Sequence, residues 1–228
     1  MSTRQSIDHE VYKVDDTPKP VLKLQIWQDH GMTPPDVDSV IEELREALKD
    51  SIASVAFAKT ALTFFSSHIE ELPRDIQKVF PKAYISDLFI RIDFTDDPDG
   101  PDSDTHTPAS GWLRSEALEK LAVNGFVDHQ LGQQWIVAFF AQWEEIFRPR
   151  LAKARGIAHA DDIKVPLLGD LRRLRHYVVH NKAKVESNWP QKSTVLAKWF
   201  SPGDTVHLSG RHLREFEDLF PWTELRGP

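Results

Sequence analysis

Apolar residues recur at helical spacing over the longest patterned stretch of the chain: Val40, Leu44, Leu48, Ile52, Val55, Leu62, Phe65 and Ile69. Pro34-Pro35 with Asp36 and Asp38 marks its start, and Pro73 marks its stop. The pattern predicts a helix of about 34 residues, roughly 50 Å long at about 1.5 Å per residue. A helix of that length in a chain of 228 residues implies a bundle. Further helical patterns run over Ser115–Val123, ending at Asn124-Gly125, and over Val127 to about Lys153. The second carries Leu131, Trp135, Val137, Ala138, Phe139, Trp143 and Ile146, with Pro149 positioned to kink or shorten it. Another runs from Pro166 to about Glu186, after a connection at Gly156–Ala160 and a cap at Asp161-Asp162.

Strand-like alternation is sparse. Val21–Trp27 alternates weakly, and Leu88–Phe94 alternates well. Residues 74–94 otherwise leave a short helix over Ile76–Phe80 open. After Pro190 the pattern predicts a short element at Thr194–Phe200, a Pro-Gly-Asp turn, a brief strand at Thr205–Leu208 and a last helix near Arg211–Leu219. The expected architecture is mainly α: an antiparallel helical bundle with small peripheral β elements near the N-terminal region and at 86–94. Residues 1–35 form an N-terminal extension. Residues 36–186 form the bundle, with an acidic loop inserted at 95–110. Residues 187–228 form a C-terminal extension packing on it.

Charge is unevenly spread. The chain carries a net −7, so a long non-specific nucleic-acid track is excluded and any nucleic-acid contact must be local. Asp93, Asp96, Asp97, Asp99, Asp102 and Asp104 cluster without a cation. An EF-hand register there puts Thr95 first and His106 twelfth around Gly100, both wrong for calcium, so a solvated loop is expected. Arg172, Arg173, Arg175, Lys182 and Lys184, with His176 and His180, form a segment free of acids. The absence of cysteine excludes disulfides and thiolate chemistry. Residues 1–16 are polar, without the apolar core of a leader, and the longest uninterrupted apolar run, Trp135–Ala141, is too short to cross a bilayer. The expectation is a cytoplasmic protein with no membrane partner.

The chemistry concentrates on the helix after Pro166. Stepping 100° per residue, Leu167, Leu171, Leu174 and Val178 make the core stripe, and Arg172, His176 and His180 lie opposite. Arg175 falls within about 40° of Leu171. A guanidinium on that arc needs a carboxylate, a phosphate or a subunit interface. Glu144 and Asp50 are the candidate carboxylates if Arg175 is a structural clamp. His176 and His180 at i, i+4 also admit a metal, with His159 or Asp170 as a third ligand. The zincin glutamate is missing between them, and the expected metal is none. No Gly-x-Ser-x-Gly and no glycine-rich phosphate loop occur. An arginine and a histidine on one rigid element suffice to neutralise a phosphate and move a proton beside it.

Arg175-His-Tyr-Val-Val-His180 resembles the Arg-x4–6-His motif of the HEPN superfamily, in which a polar residue commonly follows the arginine. The lead-in Gly169–Leu174, the trailing Asn181 and the upstream Trp143-Glu144 with Arg148 resemble the longer pattern of bacterial members. The resemblance spans residues 38–72 and 115–186. It implies a helical bundle that pairs as a homodimer and needs no cofactor. It implies a metal-independent endoribonuclease of toxin–antitoxin or phage-defence settings, restrained by an antitoxin or regulatory protein. It equally admits an inactive dimerisation module that binds RNA or a nucleotide. Carried onto this chain, Arg175 and His180 match the catalytic pair and His176 the polar follower. Asn181, Glu144 and Asp170 are supporting residues, and Arg172, Arg173 and Lys182 are the expected RNA contacts.

Overall fold

A computed structural model describes residues 36–82, 87–92 and 110–227, all within the unit Pro34–Pro228. The expected strand at 21–27 and the acidic loop through residue 109 lie outside the described residues.

The structure is mainly α, as expected. The long helix α1 runs Val37–Val79, and Val40, Ile41, Leu44 and Leu48 are buried along its first half. It does not stop at Pro73. Proline has no N–H, so the carbonyl of Ile69 loses its partner in the helix. Arg114 supplies the replacement: its Nε donates to Ile69 O at 3.0 Å and its second guanidinium nitrogen to Glu70 O at 3.0 Å. The helix therefore runs on to Val79 and absorbs the short helix expected at Ile76–Phe80.

The apolar stripe of α1 is buried only in part. Leu62 is half-buried and Phe65 is 39% exposed, and Phe57 and Phe64 are 77% and 73% exposed. By length and composition α1 reaches the range of a membrane span, and only 11% of its most apolar stretch is buried. Lys59 ties α1 to the bundle, since its Nζ bonds Asp128 at 2.7 Å and donates to Leu208 O at 2.7 Å.

Two short strands, β1 (Phe89–Ile92) and β2 (Ser110–Leu113), pair antiparallel with Phe89 opposite Leu113. Gly111 permits the pairing, because a Cβ there would fall 2.3 Å from the Phe89 ring. Helix α2 (Arg114–Leu121) follows directly, and Asn124 at φ +62° turns the chain into α3 (Phe126–Gln142). A π turn, Trp143–Phe147, joins α3 to α4 (Arg148–Ala154). Pro149 lacks the N–H that Glu145 O would accept, and the backbone widens at that point instead of ending.

After a 3-10 turn at Ala160–Asp162, Pro166 starts α5 (Pro166–His180). Helix α5 is six residues shorter than the pattern suggested. Asn181 caps it, and Lys182 and Ala183 adopt φ of +49° and +58°, which no helix continues through. Short helices α6 (Trp189–Lys192), α7 (Gly210–Asp218) and α8 (Trp222–Arg226) complete the chain, with a 3-10 turn at Ala197–Trp199. The strand expected at Thr205–Leu208 is reduced to a single bridge between Thr205 and Lys184.

One core serves all of these elements. Helix α1 packs on α2, α3, α4, α7 and α8, and α3 packs on α5. Trp189, Leu196, Val206, Leu208 and Phe216, each 0% exposed, bring residues 187–228 into that core. Gly132 lets the backbone of Leu208 approach α3, where a Cβ would meet Leu208 N at 3.0 Å. Gln133 fixes the contact, its amide donating to Val206 O at 3.0 Å. Burial of such side chains stabilises by about 1.5–3 kcal/mol each, and this holds the C-terminal segment against α3 and α5.

Candidate active site

Helix α5 presents its side chains as its period requires. Leu167, Leu171, Leu174 and Tyr177 are buried, and Arg172, His176, Val179 and His180 are exposed. His176 and His180, one turn apart, are neighbours, their ring centroids 5.0 Å apart and their planes inclined at 42°. Arg175 is half-buried and lies over the Phe140 ring of α3, its guanidinium carbon 5.8 Å from the ring centre. Its Nε is buried and has no hydrogen-bond partner.

Among the described residues, no carboxylate meets Arg175. Glu144, expected as one possible clamp, is taken by Arg148, which bonds it at 2.9 Å and Asp161 at 3.0 Å. The other, Asp50, is exposed and makes no ion pair among the described residues. The clamp reading therefore has no support here. Nor do Arg175 and His180 converge within one chain: five positions turn the helix by about 140°.

The supporting residues have structural duties. Asp170 is fully buried and holds the 193–196 segment. Its carboxylate accepts from the Ser193 hydroxyl at 2.8 Å and from the backbone N–H of Thr194, Val195 and Leu196 at 3.0, 2.7 and 2.9 Å. Arg173 pairs with the same carboxylate at 2.9 Å. Asn181 donates its amide to Lys184 O at 2.6 Å and closes the turn after α5. A metal on His176 and His180 also lacks a third ligand. Among the described residues no group of three or more His, Cys, Asp or Glu is placed to hold an ion.

The expected RNA contacts divide between two grooves. Arg172 and Arg173 line one of about 620 Å³ with Arg148 and Lys164, against the acids Glu144 and Asp161. Phe140, the ring under Arg175, also lines that groove. Lys182 lines a second groove of about 820 Å³ on the other side, with Ala141 and Val178. Arg175 lies over Phe140, which lines the first groove, and its helix contributes Val178 to the second. Val179 on α5 and Ile146 in the π turn are 48% and 47% exposed. Sequence reasoning missed Lys164 and Phe140, since neither a lone lysine nor one Phe among thirteen carries a signal.

A separate polar cluster joins α1 to the C-terminal segment. Asp128 bonds Lys59 at 2.7 Å and His207 at 3.1 Å, and His129 lies over His207 at 4.6 Å. Burial pushes Asp128 up, but the hydrogen bonds from Lys59 and His207 outweigh it and hold the carboxyl below its usual range. Burial pushes His129 and His212 below the ordinary imidazole value, and His207 lowers His129 further. These two imidazoles bind a proton less readily folded than unfolded. Their contribution to stability is thus present above about pH 6.5 and is lost as pH falls below it. Asp128 contributes above about pH 4, and its share is lost only at lower pH. The expected result is a melting temperature that drops between pH 7.5 and pH 5.5. His129→Gln and His212→Gln should each flatten that drop, and an unchanged slope in both would contradict the assignment.

Comparison of the chain with protein-family models, with curated proteins and with solved structures returned no match, so the geometry of α5 and its grooves carries the functional reading.

Proposed function

We propose that this protein is a metal-independent endoribonuclease that acts as a homodimer, with Arg175 and His180 as its catalytic pair. One observation carries the reading. A half-buried guanidinium with an unsatisfied Nε and, among the described residues, no carboxylate lies over a groove-lining phenylalanine, on the helix that exposes two neighbouring histidines. A positive charge in that setting needs a counter-charge, and a phosphate supplies one. The exposed Val179, one turn on from Arg175, suits contact with a second copy, which would carry its own histidine pair toward this arginine.

The chemistry uses the substrate's own nucleophile. The 2′-hydroxyl attacks the adjacent phosphorus as His180 takes its proton, and the 5′-oxygen leaves with a proton returned to it. Imidazole serves because it exchanges a proton near neutral pH. Arg175 stabilises the phosphorane oxygens through a planar fork that lysine lacks. His176, beside His180, orients it or passes the proton. Arg172, with Lys164, holds flanking phosphates along the first groove. In toxin–antitoxin or phage-defence use, an antitoxin or regulatory protein would cover this face of α5.

Cleavage of single-stranded or loop RNA should persist in excess EDTA and leave 2′,3′-cyclic phosphate and 5′-hydroxyl ends. Activity abolished by the chelator would reject this mechanism. A second reading, an inactive dimeric module that binds RNA, draws on the structural employment of Asp170, Asn181 and Glu144. RNA binding without turnover across several RNA classes would favour it.

A further inference from the structure

The second groove lies along α3 and faces the end of α5. Its floor is apolar, made by Val137, Ala138, Ala141 and Val178. Its polar groups are His129, the carboxamides of Gln130 and Gln134, Thr205, and Lys182 across from them. Phe126 stands at one end, 61% exposed, with the Lys120 ammonium 5.7 Å from its ring. Gln133 is committed to Val206 O and accepts a long hydrogen bond from Gln130 Nε2 at 3.4 Å, whereas Gln134 is exposed and has no hydrogen-bond partner among the described residues. Among the described residues that line the groove there is no Asp or Glu, in a chain with 35 of them and a net charge of −7.

An acid-free groove in an acidic protein selects for an anionic ligand. The remaining features narrow the class. An exposed aromatic ring offers a stacking face, paired carboxamides offer both donors and acceptors for a heterocycle's edge, and a lysine offers a phosphate contact. From Phe126 to Ala141 the groove follows about 22 Å of helix at about 1.5 Å per residue, room for a few extended nucleotides. We propose that this groove binds the unpaired nucleotides flanking the cleavage site of single-stranded RNA. One base stacks on Phe126, Gln130 and Gln134 meet base edges, and Lys182 holds the phosphate nearest Arg175. The inference rests on the ribonuclease reading for its ligand, and it adds the site that selects single strands over duplex.

The test uses the full chain and two probes, a mixed-sequence single-stranded RNA decamer and its DNA counterpart, which carries the same bases and phosphates but cannot be cut. Binding of the DNA decamer should weaken about tenfold or more in Phe126→Ala and recover in Phe126→Tyr. Lys182→Ala should lower the salt dependence of binding by about one phosphate contact. With RNA, Phe126→Ala should raise KM and leave kcat unchanged. Wild-type affinity and salt dependence in both variants, or no decamer binding by the wild-type protein, overturns the groove assignment even if RNA is cleaved. Phe126-dependent binding without any cleavage keeps the groove and removes the ribonuclease. Binding of an acidic peptide that the decamer fails to displace also overturns it, in favour of a protein ligand.

Discussion

Asp170→Ala should lower the stability of this protein by about 3–5 kcal/mol, read as a fall in the urea midpoint at unchanged slope. The carboxylate is 0% exposed and receives the Ser193 hydroxyl, three successive backbone N–H groups and the Arg173 guanidinium. Alanine leaves those N–H groups without their acceptor, at up to about 1–3 kcal/mol for each one that water cannot reach, and their losses overlap. The segment they hold ends at Leu196, which is fully buried beside the core that Trp189 enters. Asp170→Asn keeps the shape and part of the acceptor capacity, so its loss should be smaller. Arg173→Ala removes a partner that is 40% exposed and should change stability by no more than about 1 kcal/mol. A loss below about 1 kcal/mol in Asp170→Ala would contradict the role given to this carboxylate.

Arg175→Ala should have opposite effects on activity and stability. RNA cleavage should fall by about 10²–10³-fold, the usual loss when a preorganised donor to a developing oxyanion is removed. Stability should hold or rise, because the substitution deletes a half-buried charge whose Nε has no partner. Arg175→Lys should restore little of the rate, since an ammonium cannot make the paired contact of the guanidinium fork. Cleavage rates and melting temperatures of both variants decide the matter. A structural clamp would lose stability on removal, and a marked fall in melting temperature with unaltered cleavage would assign Arg175 that duty.

Much of the fold was legible because helical periodicity is a strong signal over long stretches. Helix α1 was evident from its stripe, yet its end was misplaced. A proline stops a helix only when nothing else bonds the orphaned carbonyl, and Arg114 does so from 45 residues away. The end of α5 was overrun for a related reason. Lys182 and Ala183 are ordinary helix formers by composition, and only the backbone shows them at positive φ. The placement of Arg175 near the apolar arc was correct, since the side chain is half-buried over Phe140. The partners suggested for it failed, because Glu144 opens the π turn and reaches Arg148 instead. Asp170 read as part of a motif, and its actual partners are backbone amides that no side-chain pattern reveals.

The account stands on Arg175 and His180 acting together across two copies of the chain, and mixing two inactive variants tests this directly. Arg175→Ala and His180→Ala are each purified, unfolded, refolded together in equal amounts and assayed on single-stranded RNA. Random pairing puts about half the molecules in mixed dimers, each with one intact composite site of two, so activity should return to about a quarter of wild type. Mixed dimers that form and remain inactive, or a wild-type protein that leaves RNA uncut, would contradict the account.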